Sequence, residues 1–206
     1  MSLISIIMPV KNAAPFLKDC IESICKQTYT NWELIAVDDH STDYSYEIIS
    51  QYVSNNEKIQ LLKSKGNGII PALQMGYSHS SGQYIHRMDA DDIMPQKKLS
   101  TLYNLITSYG NGHIATGHVS YFSNQKLNAG YQNYAKWLNQ LCENNTQWDA
   151  IFKECVIASP NWLISRSDFE QAGGFNSSIY PEDYDLVFRF FKENLKVISA
   201  KEITHY

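Results

Sequence analysis

Cysteine is scarce in this 206-residue sequence, and the four present, Cys20, Cys25, Cys142 and Cys155, form no CxxC pair. No cysteine–histidine cluster has zinc-binding spacing, which excludes a structural zinc site or a dithiol redox motif. Free thiols in a reducing compartment are the simplest reading. Long apolar runs are also missing, and none approaches the ~20 residues that a bilayer-spanning helix needs. Met1-Ser2-Leu3 leads straight into a strand-like run, so the sequence is read as lacking a signal peptide and as cytoplasmic. Positive charge is not in excess. Seventeen Lys and Arg against 21 Asp and Glu give a net charge of −4. With no basic stripe, nucleic acid is excluded as a partner. Repeats, low-complexity tracts and linker-like stretches are absent as well.

What is present is an ordinary globular balance, 44% hydrophobic and 18% charged, which excludes intrinsic disorder. A chain of this length buries roughly 70% of its unfolded surface and needs no staple to hold a core. The expectation is one domain over 1–206, with a regular half up to about residue 110 and a more variable half after it.

Strand-like and helix-like segments alternate. Leu3 to Met8 is a β-branched run that should end at Pro9. Phe16, Leu17, Cys20, Ile21, Ile24 and Cys25 make one apolar helix stripe. Strands are expected at Trp32–Val37, Ile59–Leu62 and Tyr84–Met88. Helices are expected around Ile48–Val53, from Ile69 to Ser80 with Pro71 in the first turn, and around Leu99–Ile106. This rhythm predicts an α/β fold, a mainly parallel sheet covered by helices on both faces. Further on, the expectations are a strand over His113–Phe122, a loop over Ser123–Tyr134 and helix in one or two pieces over Trp137–Cys155. A strand at Trp162–Ser165, a short helix ended by Gly173-Gly174, a helix striped by Tyr184, Val187, Phe188, Phe191 and Leu195, and a short last strand from Val197 complete the reading.

Ligands of parallel α/β sheets bind beyond the carboxyl ends of the strands. Three acidic clusters fall at or near such ends: Asp38-Asp39, Asp89-Ala90-Asp91-Asp92, and Glu182-Asp183-Tyr184-Asp185. A carboxylate pair just past a strand can hold a divalent cation through hard oxygen ligands, and a further carboxylate across the cleft can act as a general base. Each cluster has a plainer reading. The first two could be Asx-rich turns, and the third sits in a first helical turn, where the helix dipole favours acids. Trp137, Trp148 and Trp162 could stack on a sugar, but such residues more often serve as core.

Four segments together resemble a known family. Ser5-Ile6-Ile7-Met8-Pro9-Val10-Lys11-Asn12, WELIAVDDHSTD from Trp32, QYIHRMDADDI from Gln83 and GGFNSSIYPEDYDLVFR from Gly173 resemble, in order, the motifs of family 2 glycosyltransferases. The resemblance covers residues 4 to 206. It implies the GT-A fold, a Rossmann-like nucleotide-diphospho-sugar transferase architecture, and inverting transfer of a sugar from a nucleotide-diphosphate donor, UDP-sugar favoured. The acceptor would be a sugar or lipid-linked sugar, and the process surface polysaccharide or glycan synthesis. Pro9, Val10 and Asn12 would line the nucleotide pocket, and Asp38 would accept a hydrogen bond from the uracil ring, with Asp39 beside it. Asp89 would face the ribose or donor sugar, next to Ala90. Asp91 would bind Mn²⁺ or Mg²⁺ bridging the diphosphate, and Asp183 would be the general base. His205 is placed like a late histidine that some GT-A enzymes add as a metal ligand, although a lone histidine near a chain end is more often a surface residue.

Two departures stand out. His40 replaces the family's usual glycine after the aspartate pair, and Gly66 precedes Asn67-Gly68-Ile69 where the family often has Asn. Relatives commonly continue past the position of Tyr206, which leaves open a missing C-terminal tail. A peripheral contact with the inner face of a membrane also stays open, with no basic amphipathic helix to support it. Three rival readings are a catalytically inactive nucleotide-sugar-binding module, a sugar nucleotidyltransferase and a receiver-like signalling module. The nucleotidyltransferase would need a Gly-rich basic loop, absent from Pro9–Pro15. The receiver would leave Glu182-Asp183 without a task.

Overall fold

The computed structural model describes residues 1–123, 127–176 and 178–206. Its centre is a seven-stranded sheet in the order β3-β2-β1-β4-β6-β5-β7. The strands are β1 (Ile4–Val10), β2 (Trp32–Asp38), β3 (Ile59–Lys63), β4 (Tyr84–Arg87), β5 (His113–Val119), β6 (Leu163–Ser165) and β7 (Lys196–His205). The helices are α1 (Ala14–Cys25), α2 (Ser45–Val53), α3 (Ile69–Ser78), α4 (Lys98–Tyr109), α5 (Ala129–Asn144), α6 (Arg166–Gln171) and α7 (Glu182–Lys192). β1 pairs in parallel with β2 and β4, β2 with β3, and β5 with β7, while β6 runs antiparallel to both its neighbours.

Strand alternation sorts β1 onto two cores. Ile4, Ile6 and Met8 pack with Leu17, Ile21 and Ile24 of α1 and Leu99 and Leu102 of α4. Ile7 faces the other layer, with Leu73 of α3, Phe169 of α6 and Phe190 of α7. That second layer is tightly fitted: a Cβ on Gly76 of α3 would lie 2.7 Å from Ile7 Cγ2. Trp162, expected as core or sugar platform, is core here, 2% exposed and ringed by Phe169, Phe175 and Phe190.

β1 does not stop at Pro9 but runs through it to Val10. Ile7 accepts from Met88 N–H on the β4 side and Val10 accepts from Asp39 N–H on the β2 side. By alternation Pro9 therefore turns its missing donor toward β4, where pairing has already ended at Ile7–Arg87. The loop expected over 123–134 is helical from Ala129 onward, and residues 124–126 lie outside the described residues. Asn128 starts that helix as its N-cap, accepting from Gly130 N–H, a signal that polar composition hid. The last strand is ten residues long rather than short, and it carries the chain back to the sheet edge where the acids gather.

Among the described residues no helix is long and apolar enough to cross a membrane. Cys20, Cys142 and Cys155 are buried and Cys25 is exposed. Burial pushes all three buried thiols up, Cys155 to about 12. One thiol, Cys25, should react with an aromatic disulfide reagent in the native protein and four in denaturant. Two or more fast native thiols would contradict this packing.

Candidate active site

The strand order reverses between β1 and β4, because β1 leads to β2 on one side and β3 returns to β4 on the other. This is the switch point where open α/β sheets bind ligands. Pairing ends there at Ile7–Arg87, so the two chains diverge into a crevice of about 360 Å³. Pro9, Val10, Lys11, Asn12, Asp39, Gly68, Arg87, Asp89, Ala90 and Asp91 line it. The volume suits a small-molecule ligand.

Asp39 is the carboxylate fixed at one end. Both its oxygens accept from Gly68 N–H at 3.0 Å, and Oδ2 also accepts from Lys11 Nζ at 3.1 Å. Gly68 has φ +94°, a conformation that L side chains rarely adopt. His40, standing where the family has glycine, keeps a glycine-like φ of +57° and sets Nε2 3.1 Å from the Gly66 carbonyl. A Cβ in that region costs roughly 1–2 kcal/mol. Asn12 takes φ +51°, and its Oδ1 accepts from Thr42 N–H at 2.8 Å, so this side chain ties the β1 loop to the β2 loop. Asp38 is 5% exposed and is not among the lining residues. Its Oδ2 accepts from Ser41 N–H at 3.4 Å and its Oδ1 is buried without a partner.

At the other end stands the acidic turn after β4. Asp91 is exposed and lines the crevice. Asp89 Oδ1 accepts from Arg87 Nε at 2.9 Å. Arg87 is 5% exposed, and its Nη1 donates to Glu182 Oε1 at 3.0 Å. Burial opposes the Arg87 charge, but Asp89 and Glu182 outweigh it and hold the group more firmly protonated. Asp92 is pushed up to about 7 by burial and by the Asp89 and Asp91 charges. Beneath them Lys98 is fully buried and donates to the Pro160 carbonyl at 2.5 Å. Burial brings its pKa down to about 7 against the pull of Asp92 and Asp89.

Asp183 follows Glu182 in the first turn of α7, and its Oδ1 accepts from Tyr184 N–H at 2.8 Å. It lines a second cavity of about 310 Å³ with Tyr134, Glu154, Cys155, Pro181 and Tyr184. Arg87 joins the two places through Glu182. His205 is 2% exposed with Nε2 3.6 Å from Asp92 Oδ2 and Nδ1 unpartnered. Burial lowers its pKa well below the usual value, so the ring is neutral and the contact is not an ion pair.

The sequence model of "Glycosyl transferase family 2" matches residues 5–173. The chain belongs to glycosyl transferase family 2.

Within this family it is similar to the glycosyltransferase GlyG of Streptococcus pneumoniae, 39% identical over 105 residues, covering 50% of this chain and 35% of GlyG. An uncharacterized glycosyltransferase of Rickettsia prowazekii is 29% identical over 196 residues, covering 92% of this chain and 59% of that protein. The chain thus spans between a third and three fifths of the length of these relatives. Among solved structures, S. aureus TarS in complex with UDP-GlcNAc superposes with a TM-score of 0.78 at 14% identity, covering all of this chain and 58% of that one. The mannosyltransferase PcManGT of Pyrobaculum calidifontis, in complex with GDP-Man and Mn²⁺, gives 0.75 at 17% identity, covering 99% and 56%. The fold is therefore GT-A, α/β with a mostly parallel sheet.

Among the described residues no three His, Cys, Asp or Glu side chains are gathered to hold an ion by themselves. Exposed Asp91 suits a hard cation, while Asp89 is already engaged by Arg87. The residues therefore fit an ion that takes one or two carboxylates and completes its shell with ligand oxygens. Arg87, Lys11 and Gly68 are not singled out by the sequence reading. No local pattern marks Arg87, whose partner Glu182 lies 95 residues further along the sequence.

Proposed function

We propose that this chain carries the donor site and catalytic base of an inverting glycosyltransferase that moves a sugar from a nucleotide diphosphate to an acceptor hydroxyl. The observation that carries this reading is one juxtaposition at the β1/β4 switch point. The Asp39 carboxylate, the Asp89–Asp91 turn and, through the Arg87–Glu182 pair, Asp183 meet at one sheet edge. The family supports sugar transfer, and neighbours of the same fold hold UDP-GlcNAc and GDP-Man.

In this reading Asp39, not Asp38, contacts the base, because Asp39 faces the crevice. A carboxylate accepts an imide N–H such as that of uracil, so a UDP-sugar is the favoured donor. Pro9, Val10 and Asn12 shape the nucleoside pocket, and Asp89 with Ala90 faces the ribose and sugar. Asp91 would hold Mn²⁺ or Mg²⁺, which when bound supplies neutralising charge at the diphosphate. Buried His205, through its contact with Asp92, backs that turn.

Asp183 accepts the proton of an acceptor hydroxyl seated in its own cavity, as that oxygen attacks the anomeric carbon and the nucleoside diphosphate departs from the opposite face. Single displacement needs one base and no protein nucleophile. Residues up to about 110 serve the donor and the later half serves the acceptor, a sugar or lipid-linked sugar. The test is a panel of nucleotide sugars with Mn²⁺, reading release of nucleoside diphosphate and the anomer formed by NMR. One nucleotide class consumed, with inversion, is expected. Turnover with retention, or turnover unchanged by Asp91→Ala, would contradict the reading.

A further inference from the structure

Arg87 is the last residue of β4, in the first half of the chain, and Glu182 is the first residue of α7, 95 positions later. Their ion pair is nearly dry, with the two side chains 6% and 12% exposed. The same guanidinium uses a second N–H for Asp89, also at ion-pair distance. One cation is thus divided between a carboxylate of the donor crevice and a carboxylate adjoining Asp183. α7 does not need this bridge to fold. Leu186, Val187 and Phe190 bury its inner face. Arg189, held by Asp185 one turn back on the same helix, ties α7 to the carbonyls of Ala172 and Gly174. The bridge acts instead on the first turn, where Pro181 offers no side-chain cap.

We propose that Arg87 is a positioning residue, which sets the Asp183 carboxylate against the donor by holding Glu182 and Asp89 on one guanidinium. The inference rests on Asp183 being the base. A guanidinium can do this because its N–H groups are rigidly splayed and serve two acceptors at fixed angles, whereas an ammonium is a point charge on a flexible stem. The role also explains a buried ion pair beside a cleft, where an apolar pair of like volume would be at least as stabilising. Glu182 and Arg87 exchange no proton with substrate. They fix a distance, and a shift of about 1 Å at a reacting group can cost on the order of 10²-fold in rate.

The experiment uses the nucleotide sugar that the wild type turns over, with kcat for donor turnover, Kd for the nucleoside diphosphate with Mn²⁺, and the thermal midpoint measured for each variant. Glu182→Ala should lower kcat about 10–100-fold with Kd within twofold and little change in thermal midpoint. Glu182→Gln keeps an acceptor oxygen for Nη1 and should recover most of the rate. Arg87→Lys should fall by a similar factor, and Arg87→Lys/Glu182→Ala should be no slower than the worse single variant, because residues acting through one bridge are not additive. Adding Glu182→Ala to Asp183→Asn should cost nothing more.

Full kcat in Glu182→Ala would overturn the inference. So would strictly multiplicative losses, which would mean independent contacts with substrate, or a rate loss that merely follows a fall in thermal midpoint. If Asp183→Asn kept the wild-type rate while Glu182→Ala lost it, the base assignment itself would fail, and this inference with it.

Discussion

Asp183→Asn should lower kcat about 10²–10⁴-fold, the usual contribution of a positioned general base, and leave nucleoside diphosphate affinity within twofold. The two effects separate because the structure separates the places. Asp183 lines the cavity of Tyr134, Glu154 and Tyr184, while the crevice proposed for the nucleotide lies on the β1 side of Arg87. Asparagine keeps the shape and can still accept from Tyr184 N–H, but it cannot take a proton from an acceptor hydroxyl. A variant with the wild-type rate removes Asp183 from the chemistry. A variant that binds nucleotide tenfold more weakly would place it in the donor site instead.

Trp162→Ala is expected to cost about 3–5 kcal/mol of stability, as large-to-small changes of buried aromatics do. Trp162 stacks on Phe169 with ring centroids 5.9 Å apart and meets Phe190 edge-on at 6.0 Å. Its carbonyl also accepts from the buried His86 ring at 2.6 Å. The residue joins β6 to both α6 and α7, so the cavity would open under the helix that presents Asp183. At roughly 2–4 °C per kcal/mol for a chain of this size, the thermal midpoint should fall by roughly 6–20 °C. A shift under about 3 °C would mean that this core collapses around the loss, and that the ring's place is not set by packing.

The first half of the chain was legible because local pattern and tertiary role agree there. The stripe of α1 and the β-branched runs of β1 and β2 sit at or near their expected bounds. Pro9 misled because a proline ends a strand only where its missing N–H is needed, and whether it is needed depends on a neighbour 78 residues away in Arg87. Strand β6 is only three residues long and antiparallel, so neither length nor periodicity announces its direction. The acids of the site were visible as clusters, but their division of labour was not. Which of Asp38 and Asp39 faces the crevice emerges only in the fold, where Asp39 lines it beside Gly68 and Asp38 does not. The segment resembling the catalytic motif includes Ser177, which lies outside the described residues. Arg87 stayed hidden because its partner Glu182 is distant in sequence, and only the fold brings the two together.

The proposed donor site takes its nucleotide base against Asp39, and calorimetric titration of UDP with Mn²⁺ tests this most directly, wild type beside Asp39→Ala. The wild type should bind one UDP. The variant should bind about 10–100-fold more weakly, the loss expected when a hydrogen bond to a charged group worth about 1.5–3 kcal/mol is removed. A wild type that binds no nucleoside diphosphate, or a variant that binds UDP as tightly as the wild type, would contradict it.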